Sequence, residues 1–469
     1  MITETVKQQL IQIVGCENYD DSKAGRLVYS YDATPQFQSL PDAVIAPRNT
    51  KEVADIVKIC NEHRIPIVPR GSGTNLCAGT CPVEGGVVLI FKHMNKILEI
   101  DEENLTVTVQ PGVITLDLIK AVEEKGLFYP PDPSSMKIST IGGNINENSG
   151  GLRGLKYGVT RDYVMALEVV LANGEVIRTG GKLAKDVAGY DFTRLFVGSE
   201  GTLGIITEAT LKLIPLPETK QTMLALYQDL EAAARSVSKI IANKIIPTTL
   251  EFLDQPTLEV VEDYARIGLP TDVKAVLLIE QDGPHEVVER DMKRIAEICQ
   301  EEEATVQIAR SEAEADALRT ARRSALSALA RLKPTTILED ATVPRSEIAK
   351  MVKAINEIAA KYHVKICTFG HAGDGNLHPT CPTDVRDRDE MERVEKAFEE
   401  IFAKAIELGG TITGEHGVGA MKAPYLEWKL GKAGIEAMKA VKQALDPNGI
   451  MNPGKIFAKS ERKRVVVTR

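Results

Sequence analysis

Three glycine-dense segments constrain this chain most strongly, because they lie close together in its first half. They span residues 71–79, 142–158 and 198–204, among short β-forming runs and a few helices that extend from Ala43 to about Pro215. Glycine lets a backbone turn sharply and approach a ligand closely. Three such segments in one region are more than turns require, so the sequence predicts a domain whose backbone wraps a ligand.

The segment Pro69–Asn75 indicates the chemistry of that ligand. A strand that runs into the Gly71–Gly73 turn directs successive backbone N–H groups toward one concavity, which suits a diphosphate. The segment is not the dinucleotide fingerprint G-x-G-x-x-G, because Leu76 stands where the third glycine is needed. Alone, the loop is equally well interpreted as an ordinary tight turn, and the two further glycine-rich segments favour phosphate binding.

The composition excludes several classes of protein. The 469 residues include 57 basic and 66 acidic ones, and the net charge of -9 argues against sequence-independent nucleic-acid binding, which needs a basic face. The longest apolar runs, such as Val87–Phe91, are far shorter than the roughly 20 residues of a membrane helix. The N-terminal residues do not indicate a signal peptide, and the seven scattered cysteines do not indicate a disulfide framework. We therefore expect no nucleic-acid partner, no transmembrane segment and a cytoplasmic location, with a solvated basic tail at Lys459–Arg464.

The helix and strand patterns change after the proline-marked stretch 214–217. Before it, the clearest predicted helix is Thr50–Glu62, which begins at an Asn49 cap. After it, two successive β-α-β units predict one antiparallel sheet backed by helices. The predicted elements of these units are strands at 222–226, 248–252, 275–280 and 304–309 and helices at 230–242 and 286–302.

Two motifs contain three of the seven histidines: Gly370–His378 and Gly414–Gly417. Asp374-Gly375 predicts a two-residue hairpin loop, which would place His371 directly opposite His378 on one face of the sheet. With Glu415 as an oxygen ligand, this gives two imidazoles and one carboxylate for a divalent metal, and the N and O donors leave zinc, iron and manganese open. The alternative is a pair of glycine-rich turns with histidines bonded to backbone. The scarcity of histidine elsewhere favours the metal site.

Several arginines fall on one predicted helix from Ala313 to Leu332. A guanidinium can hold a carboxylate through two parallel hydrogen bonds, so this helix is a candidate for binding an anionic substrate. Most of these side chains are expected to form a solvated or acid-paired face, and at most one or two should contact substrate. The arginines concerned are Arg319, Arg322, Arg323 and Arg331.

Taken together and in this order, the motifs resemble the vanillyl-alcohol-oxidase type of flavoproteins, and most of all the glycolate oxidase flavin subunit and D-lactate dehydrogenase group. The resemblance extends from about Tyr31 to Phe457 and includes the closing Asn452–Lys455 motif. It implies an α+β fold with a two-subdomain FAD-binding domain of the PCMH type and a cap domain with an antiparallel sheet backed by helices. The implied boundaries are 1–216 for the FAD domain, 217–410 for the cap, and 411–469 for a C-terminal segment that returns to the FAD domain.

The resemblance also implies the FAD contacts. Members that bind FAD covalently through the first loop carry a histidine just after its glycines, and this chain has Thr74 and Asn75 there, so we expect non-covalent binding. The residues that match the family's FAD-binding positions are Arg70, Gly71, Ser72, Gly73, Thr74, Asn75, Pro133, Ser134, Gly142, Gly143, Asn148, Gly151, Gly201, Ile206 and Asn452.

For family members that oxidise D-2-hydroxy acids, the resemblance implies metal ligands at His371, His378 and Glu415 and a proton acceptor at His416. The carboxylate-binding arginine matches Arg322, with Arg319 close in register. Leu326 and Leu338 stand where the 2-hydroxyglutarate-specific branch has polar residues. We therefore expect a dehydrogenase for a small D-2-hydroxy acid, D-lactate first and glycolate next.

Electrons stored on the flavin need an outside acceptor, since the chain has no haem-attachment motif and no cysteines at cluster spacing. We expect an electron-transfer flavoprotein or an iron–sulfur partner subunit. The alternatives are an oxidase that uses oxygen or a quinone, and a flavin-binding electron-relay subunit without a substrate site. The presence of His371, His378, Glu415 and His416 argues against the relay.

Overall fold

The structure is a computed structural model that describes residues 2–34 and 36–457. The described residues form two compact units. The first contains residues 2–34, 36–149, 159–216 and 415–457, and the second contains residues 150–158 and 217–414. The basic tail lies outside the described residues.

The first unit contains the glycine-rich segments. Its strands are β1 Tyr19–Asp20, β2 Ala43–Ile45, β3 Ile67–Arg70, β4 Val87–Ile90, β5 Ile97–Asp101, β6 Thr106–Val109, β7 Leu127–Phe128, β8 Val164–Val170, β9 Val176–Gly180, β10 Ile205–Lys212 and β11 Ile214–Pro215. Its helices are α1 Glu4–Val14, α2 Lys23–Val28, α3 Thr50–Glu62, α4 Thr115–Glu123, α5 Ile141–Glu147, α7 Phe192–Phe196 and α15 Leu426–Leu445. In addition, α6 Gly154–Tyr157 belongs to the second unit.

Two larger sheets organise the first unit. One has the order β1-β2-β4-β3, in which β2 and β3 run parallel to β4, and the other is antiparallel with the order β5-β6-β10-β8-β9. The helix predicted at Thr50–Glu62 forms with those bounds, and the Asn49 side chain accepts from Glu52 N as its cap. Met451 forms a bridge to Ile67 next to the first sheet, so the C-terminal segment is part of this unit.

The second unit is built on one antiparallel sheet. Its strands are β12 Thr219–Tyr227, β13 Thr249–Asp254, β14 Ala275–Gly283, β15 Thr305–Ile308, β16 Thr335–Leu338, β17 Ala341–Thr342, β18 Cys367–His371 and β19 Asn376–Thr383. Its further helices are α8 Leu230–Ala242, α9 Gln255–Ala265, α10 His285–Glu301, α11 Glu312–Arg323, α12 Ala325–Leu329, α13 Ile348–Tyr362 and α14 Arg388–Glu407.

The strand order of this sheet is β15-β12-β14-β13-β18-β19-β16, with β17 also paired to β19, and every pair is antiparallel. Helices α8 and α10 pack against β12 and β14. The α+β class and the antiparallel sheet backed by helices that the sequence predicts are therefore confirmed.

One predicted helix is wrong. The single helix expected from Ala313 to Leu332 is divided into α11 and α12, and Ser324 lies between them. The Ser324 hydroxyl donates to the carbonyl of Ala321. Serine competes with the helix ladder for backbone groups in this way, which favours a helix end.

Among residues 2–34 and 36–457, no helix combines the length and the apolar character that a membrane-spanning helix requires.

Candidate active site

The glycine-rich segments of the first unit meet around one cavity. Strand β3 and the turn after it form one wall, helix α5 forms a second, and the segment from Glu200 to Ile206 forms a third. Of the residues predicted to bind the cofactor, those that line this cavity are Arg70, Gly71, Gly142, Gly143, Gly201 and Ile206. Segments that are distant in sequence therefore line one cavity.

Two of these glycines are required by close packing. A Cβ at Gly71 would overlap the hydroxyl of Thr140, the residue that caps α5. Gly201 has a φ of 68°, and a Cβ there would lie 2.5 Å from the Pro69 ring. The cavity thus keeps its width because these positions carry no side chain.

Arg70 holds the first loop from behind. Its buried guanidinium donates to the carbonyl of Tyr31 at 2.7 Å and to the Thr80 hydroxyl at 3.2 Å. It also lies 5.5 Å from the centre of the Tyr29 ring. These contacts place a fixed positive charge beside the cavity, as an anionic cofactor requires.

The other predicted cofactor residues are not among the residues that line this cavity within the described chain: Ser72, Gly73, Thr74, Asn75, Pro133, Ser134, Asn148, Gly151 and Asn452. Three asparagines of this set bond to the protein itself. Asn75 accepts from Gly79 N, Asn148 accepts from Arg161 N, and Asn452 donates to the carbonyls of Gly79 and Glu200. Their side chains hold neighbouring loops in place. Gly151 belongs to the second unit.

Two acidic residues of this region were missed by the sequence interpretation. Glu147 and Glu200 line the cavity, and both approach the buried thiol of Cys77. Burial, together with the carboxylate of Glu200, raises the pKa of Glu147 well above its ordinary value. Burial also raises the pKa of Glu200, although hydrogen bonds from the backbone oppose the shift. The available signal was an acid within each of the second and third glycine-rich segments, next to an expected phosphate site.

Glu200 also fixes the backbone that follows the predicted proton acceptor. Its two carboxylate oxygens accept from Val418 N and Gly419 N, each at 2.7 Å. His416 itself is 10% exposed, and its Nε2 lies 3.7 Å from Oε1 of Glu415. Both residues belong to the C-terminal segment of the first unit.

The histidine hairpin of the second unit forms with a different register from the predicted one. His371 pairs with Asn376 and Phe369 pairs with His378, so the prediction that His371 lies directly opposite His378 is wrong. The turn covers residues 372–375 because neighbouring segments bind its backbone: Gly373 N donates to Leu250 O, and Val343 N donates to Gly375 O. Those groups are therefore not available for a two-residue hairpin loop.

The register differs by two residues, so the two histidines remain on one face of the sheet. Their ring centres are 5.1 Å apart and the rings are perpendicular. Both side chains are buried, at 5% exposure for His371 and 3% for His378. The diagonal pair therefore presents two imidazoles in close proximity.

Glu251 on β13 joins this pair to the arginine helix. Its Oε1 lies 2.6 Å from Nδ1 of His371, and its Oε2 lies 2.5 Å from Nη2 of Arg322. Burial acts to raise the pKa of Glu251, but the charges of Arg322 and His371 lower it below its ordinary value. Arg322 also lies 4.8 Å from the centre of the Phe369 ring.

The two predicted substrate arginines differ in what they can still bind. Arg319 directs one terminal nitrogen to Glu280 and the other to Glu312, at 2.5 and 2.6 Å. Arg322 is 3% exposed, and its Nε makes no hydrogen bond to any described residue. A buried donor without an acceptor is unfavourable, so Arg322 is the better candidate for a substrate carboxylate.

The residues of the two units fit both FAD and a divalent metal ion, the two groups that the family implies. The cavity has an arginine and a bare glycine backbone, as FAD requires. In the second unit, Nδ1 of His371 lies against the carboxylate of Glu251, an arrangement typical of histidines that bind metals through Nε2.

Comparison with known proteins defines the class as FAD-linked oxidoreductases. Residues 41–180 match the family described as FAD binding domain, and residues 216–456 match the family described as FAD linked oxidases, C-terminal domain. The chain belongs to the FAD-linked oxidase family, which confirms the resemblance seen in the sequence.

Individual relatives agree with this membership. The chain is 79% identical to "Glycolate oxidase subunit GlcD" of Bacillus subtilis (strain 168) over 100% of both chains. It is 39% identical to "D-lactate dehydrogenase" of Anaerostipes hadrus over 89% of this chain and 90% of the relative. Among solved structures, p-cresol methylhydroxylase with substrate bound shares the fold, with a TM-score of 0.80, 19% identity and coverage of 97% and 98% of the two chains.

We expect Gly71→Ala to weaken FAD binding about 5- to 150-fold, because an added methyl in a packed site costs about 1–3 kcal/mol. The added Cβ would enter the cavity wall against Thr140. Titration of the metal-replete apoprotein with FAD, followed by flavin fluorescence, measures the effect. Gly181→Ala is the matched control, since a Cβ there meets only the Leu183 side chain, at 3.6 Å. Equal FAD affinity in the two variants would contradict the assignment of this cavity to FAD.

Proposed function

We propose that this chain oxidises a small 2-hydroxy monocarboxylate to the 2-oxo acid with bound FAD, glycolate being the first candidate and D-lactate the second. The observation that carries the proposal is the buried, incompletely hydrogen-bonded Arg322 near the histidine pair. The sequence motifs alone favour D-lactate. The 79% identity to a protein named as a glycolate oxidase subunit moves glycolate to first place.

In the proposed mechanism, Arg322 holds the substrate carboxylate and His416 takes the proton of the 2-hydroxyl group. Imidazole suits this role because its ordinary pKa is close to neutral pH. FAD, when bound, supplies the acceptor for the C2 hydrogen and its electron pair, and a divalent ion held by His371, His378 and Glu415 supplies Lewis acidity. The substrate thus loses one proton to His416 and one hydride, which balances its oxidation to the 2-oxo acid.

The size of the substrate is proposed from apolar side chains. Leu338 on β16 is buried, and Leu326 lies in α12 on the other side of Ser324 from Arg322. Neither leucine offers a hydrogen bond to a second carboxylate. This supports a monocarboxylate over a dicarboxylate such as 2-hydroxyglutarate.

We also propose that the reduced flavin passes its electrons to a partner protein, an electron-transfer flavoprotein or an iron–sulfur subunit. The support is that the 79% identical relative is named as a subunit. A direct reaction with oxygen or a quinone is the alternative function. Rapid oxygen consumption by the purified chain with substrate would favour that alternative.

The test is an anaerobic flavin titration. Glycolate, D-lactate, L-lactate and D-2-hydroxyglutarate are added separately to the FAD-loaded, metal-loaded chain, and the loss of oxidised-flavin absorbance is followed. We expect rapid bleaching by glycolate or D-lactate and none by L-lactate. Bleaching by D-2-hydroxyglutarate alone would contradict the monocarboxylate proposal. No bleaching by any of the four would contradict 2-hydroxy acid oxidation.

A further inference from the structure

We propose that Glu251 is a positioning residue that prepares both His371 and Arg322 for their roles, an inference that rests on the proposed function. Glu251 lies in β13, the strand next to β18 in the sheet. Its side chain is fully buried, and each of its oxygens meets a different partner. One carboxylate therefore connects the proposed metal ligand to the proposed substrate anchor.

The hydrogen-bonding capacity of the three groups explains why this residue is an acid. A guanidinium can only donate, and an ionised carboxylate can only accept. Because Nδ1 of His371 lies 2.6 Å from Oε1 of Glu251, the hydrogen of the neutral imidazole is on Nδ1. The lone pair of the ring is then on Nε2, the nitrogen that would act as ligand to a cation.

The guanidinium of Arg322 forms an ion pair with Oε2 of Glu251 and also contacts the ring of Phe369. Nε remains without a hydrogen bond in the described chain and can donate to a carboxylate. A buried ion pair by itself contributes little net stability, because desolvation offsets the Coulomb attraction. The pair is better explained by the orientation of Arg322 than by stabilisation of the fold.

Glutamine at position 251 would have almost the same size but only one acceptor. Its amide oxygen would turn to Arg322, the charged donor, and its NH₂ group would then face Nδ1 of His371. Nδ1 would have to accept, so the ring hydrogen would move to Nε2 and occupy the atom proposed for the metal. Aspartate is shorter but keeps two acceptors. If Glu251 served packing alone, Glu251→Gln would weaken metal binding less than Glu251→Asp. If Glu251 positions His371, Glu251→Gln weakens metal binding more than Glu251→Asp.

The chain offers a matched control. Arg319 and Glu280 form a second buried ion pair between the same helix, α11, and the adjacent strand β14, also at 2.5 Å. The carboxylate of Glu280 accepts from Arg319 and from Thr222. Glu280→Gln therefore removes the charge of that pair without altering either contact of Glu251. It therefore reproduces the loss of a buried Arg–Glu pair and leaves the proposed metal ligand intact.

The experiment measures the dissociation constant of Zn²⁺ for the FAD-loaded, metal-stripped chain by competition with a chromophoric chelator, with thermal unfolding as the test of folding. We expect Glu251→Gln to weaken Zn²⁺ binding about 10- to 100-fold, as is usual when the partner of a metal-bound histidine is lost. Glu280→Gln should keep the affinity of the unaltered chain, and Glu251→Asp should bind Zn²⁺ more tightly than Glu251→Gln.

A second variant covers the case in which Glu251→Gln does not fold. Glu251→Gln combined with Arg322→Met removes the unpaired charge of the guanidinium and leaves the amide oxygen of Gln free to accept from His371. The double variant should therefore bind Zn²⁺ more tightly than Glu251→Gln. Where Glu251→Gln is unfolded, the double variant should still bind Zn²⁺. Two results would overturn this inference and leave the proposed function standing. The first is equal Zn²⁺ affinity in Glu251→Gln and Glu280→Gln. The second is a double variant that binds Zn²⁺ as weakly as Glu251→Gln does, while Glu280→Gln binds it more tightly. Failure of the unaltered chain to bind Zn²⁺ would overturn both this inference and the metal site of the proposed function.

Discussion

His416→Ala is expected to reduce the rate constant of flavin reduction by the 2-hydroxy acid about 10²- to 10⁴-fold, the usual contribution of a positioned general base. FAD should remain bound, because His416 is not among the residues that line the cavity of the first unit. Glu200 should still hold the backbone of Val418 and Gly419. The variant therefore removes the proton acceptor and leaves the loop in place.

Anaerobic stopped-flow absorbance measures this rate, and the flavin released on denaturation gives the FAD content. His63→Ala is the control, since His63 is an exposed histidine at the end of α3 in the same unit. Added imidazole should restore part of the rate in His416→Ala and have no effect on His63→Ala. A rate in His416→Ala equal to that of the control would remove His416 from the mechanism.

Removal of the metal is expected to have an effect of similar size. A Lewis acid at a reacting oxygen contributes several kcal/mol, so treatment with a chelator should slow flavin reduction by about 10²-fold or more. His378→Ala should lose the metal and the rate together, and His416→Ala should lose the rate while it keeps the metal. The difference between the two variants separates the metal ligand from the proton acceptor.

Metal content by elemental analysis, together with the stopped-flow rate, tests this prediction. After chelation, Zn²⁺, Fe²⁺ and Mn²⁺ are added back separately to the unaltered chain, and the ion that restores the rate identifies the functional metal. Thermal unfolding of His378→Ala shows whether loss of the buried ring disturbs the sheet. Full activity after complete removal of the metal would contradict metal assistance and would leave FAD binding unaffected.

The parts of this fold that the sequence predicts well depend on neighbours in the chain. Helix α3 follows from its cap at Asn49 and its apolar spacing, both of which lie within one segment. The common face of His371 and His378 follows from the period of two along strands, and it survives a two-residue error in register. The error itself arose because Leu250 and Val343, both outside the hairpin, bind the backbone of its turn.

The two arginines of α11 show where local patterns stop being informative. Arg319 and Arg322 are three residues apart on one helix face, so helical spacing does not distinguish them, and only the family resemblance favours Arg322. The structure places Glu280 against the first and Glu251 against the second. Glu280 and Glu251 lie on the adjacent strands β14 and β13, so the order of strands in the sheet gives the two arginines different partners.

By itself, the sequence therefore determined that the chain has a ligand-wrapping glycine-rich backbone and a histidine pair on one face of the sheet, because both depend on residue type and local spacing. Only the tertiary structure decided that Glu251 meets both His371 and Arg322, and that Glu147 and Glu200 are buried together beside Cys77. The physical reason is that such contacts join residues far apart in the chain. Strand order and burial, which come from packing of the whole domain, bring them together, and no local pattern encodes them.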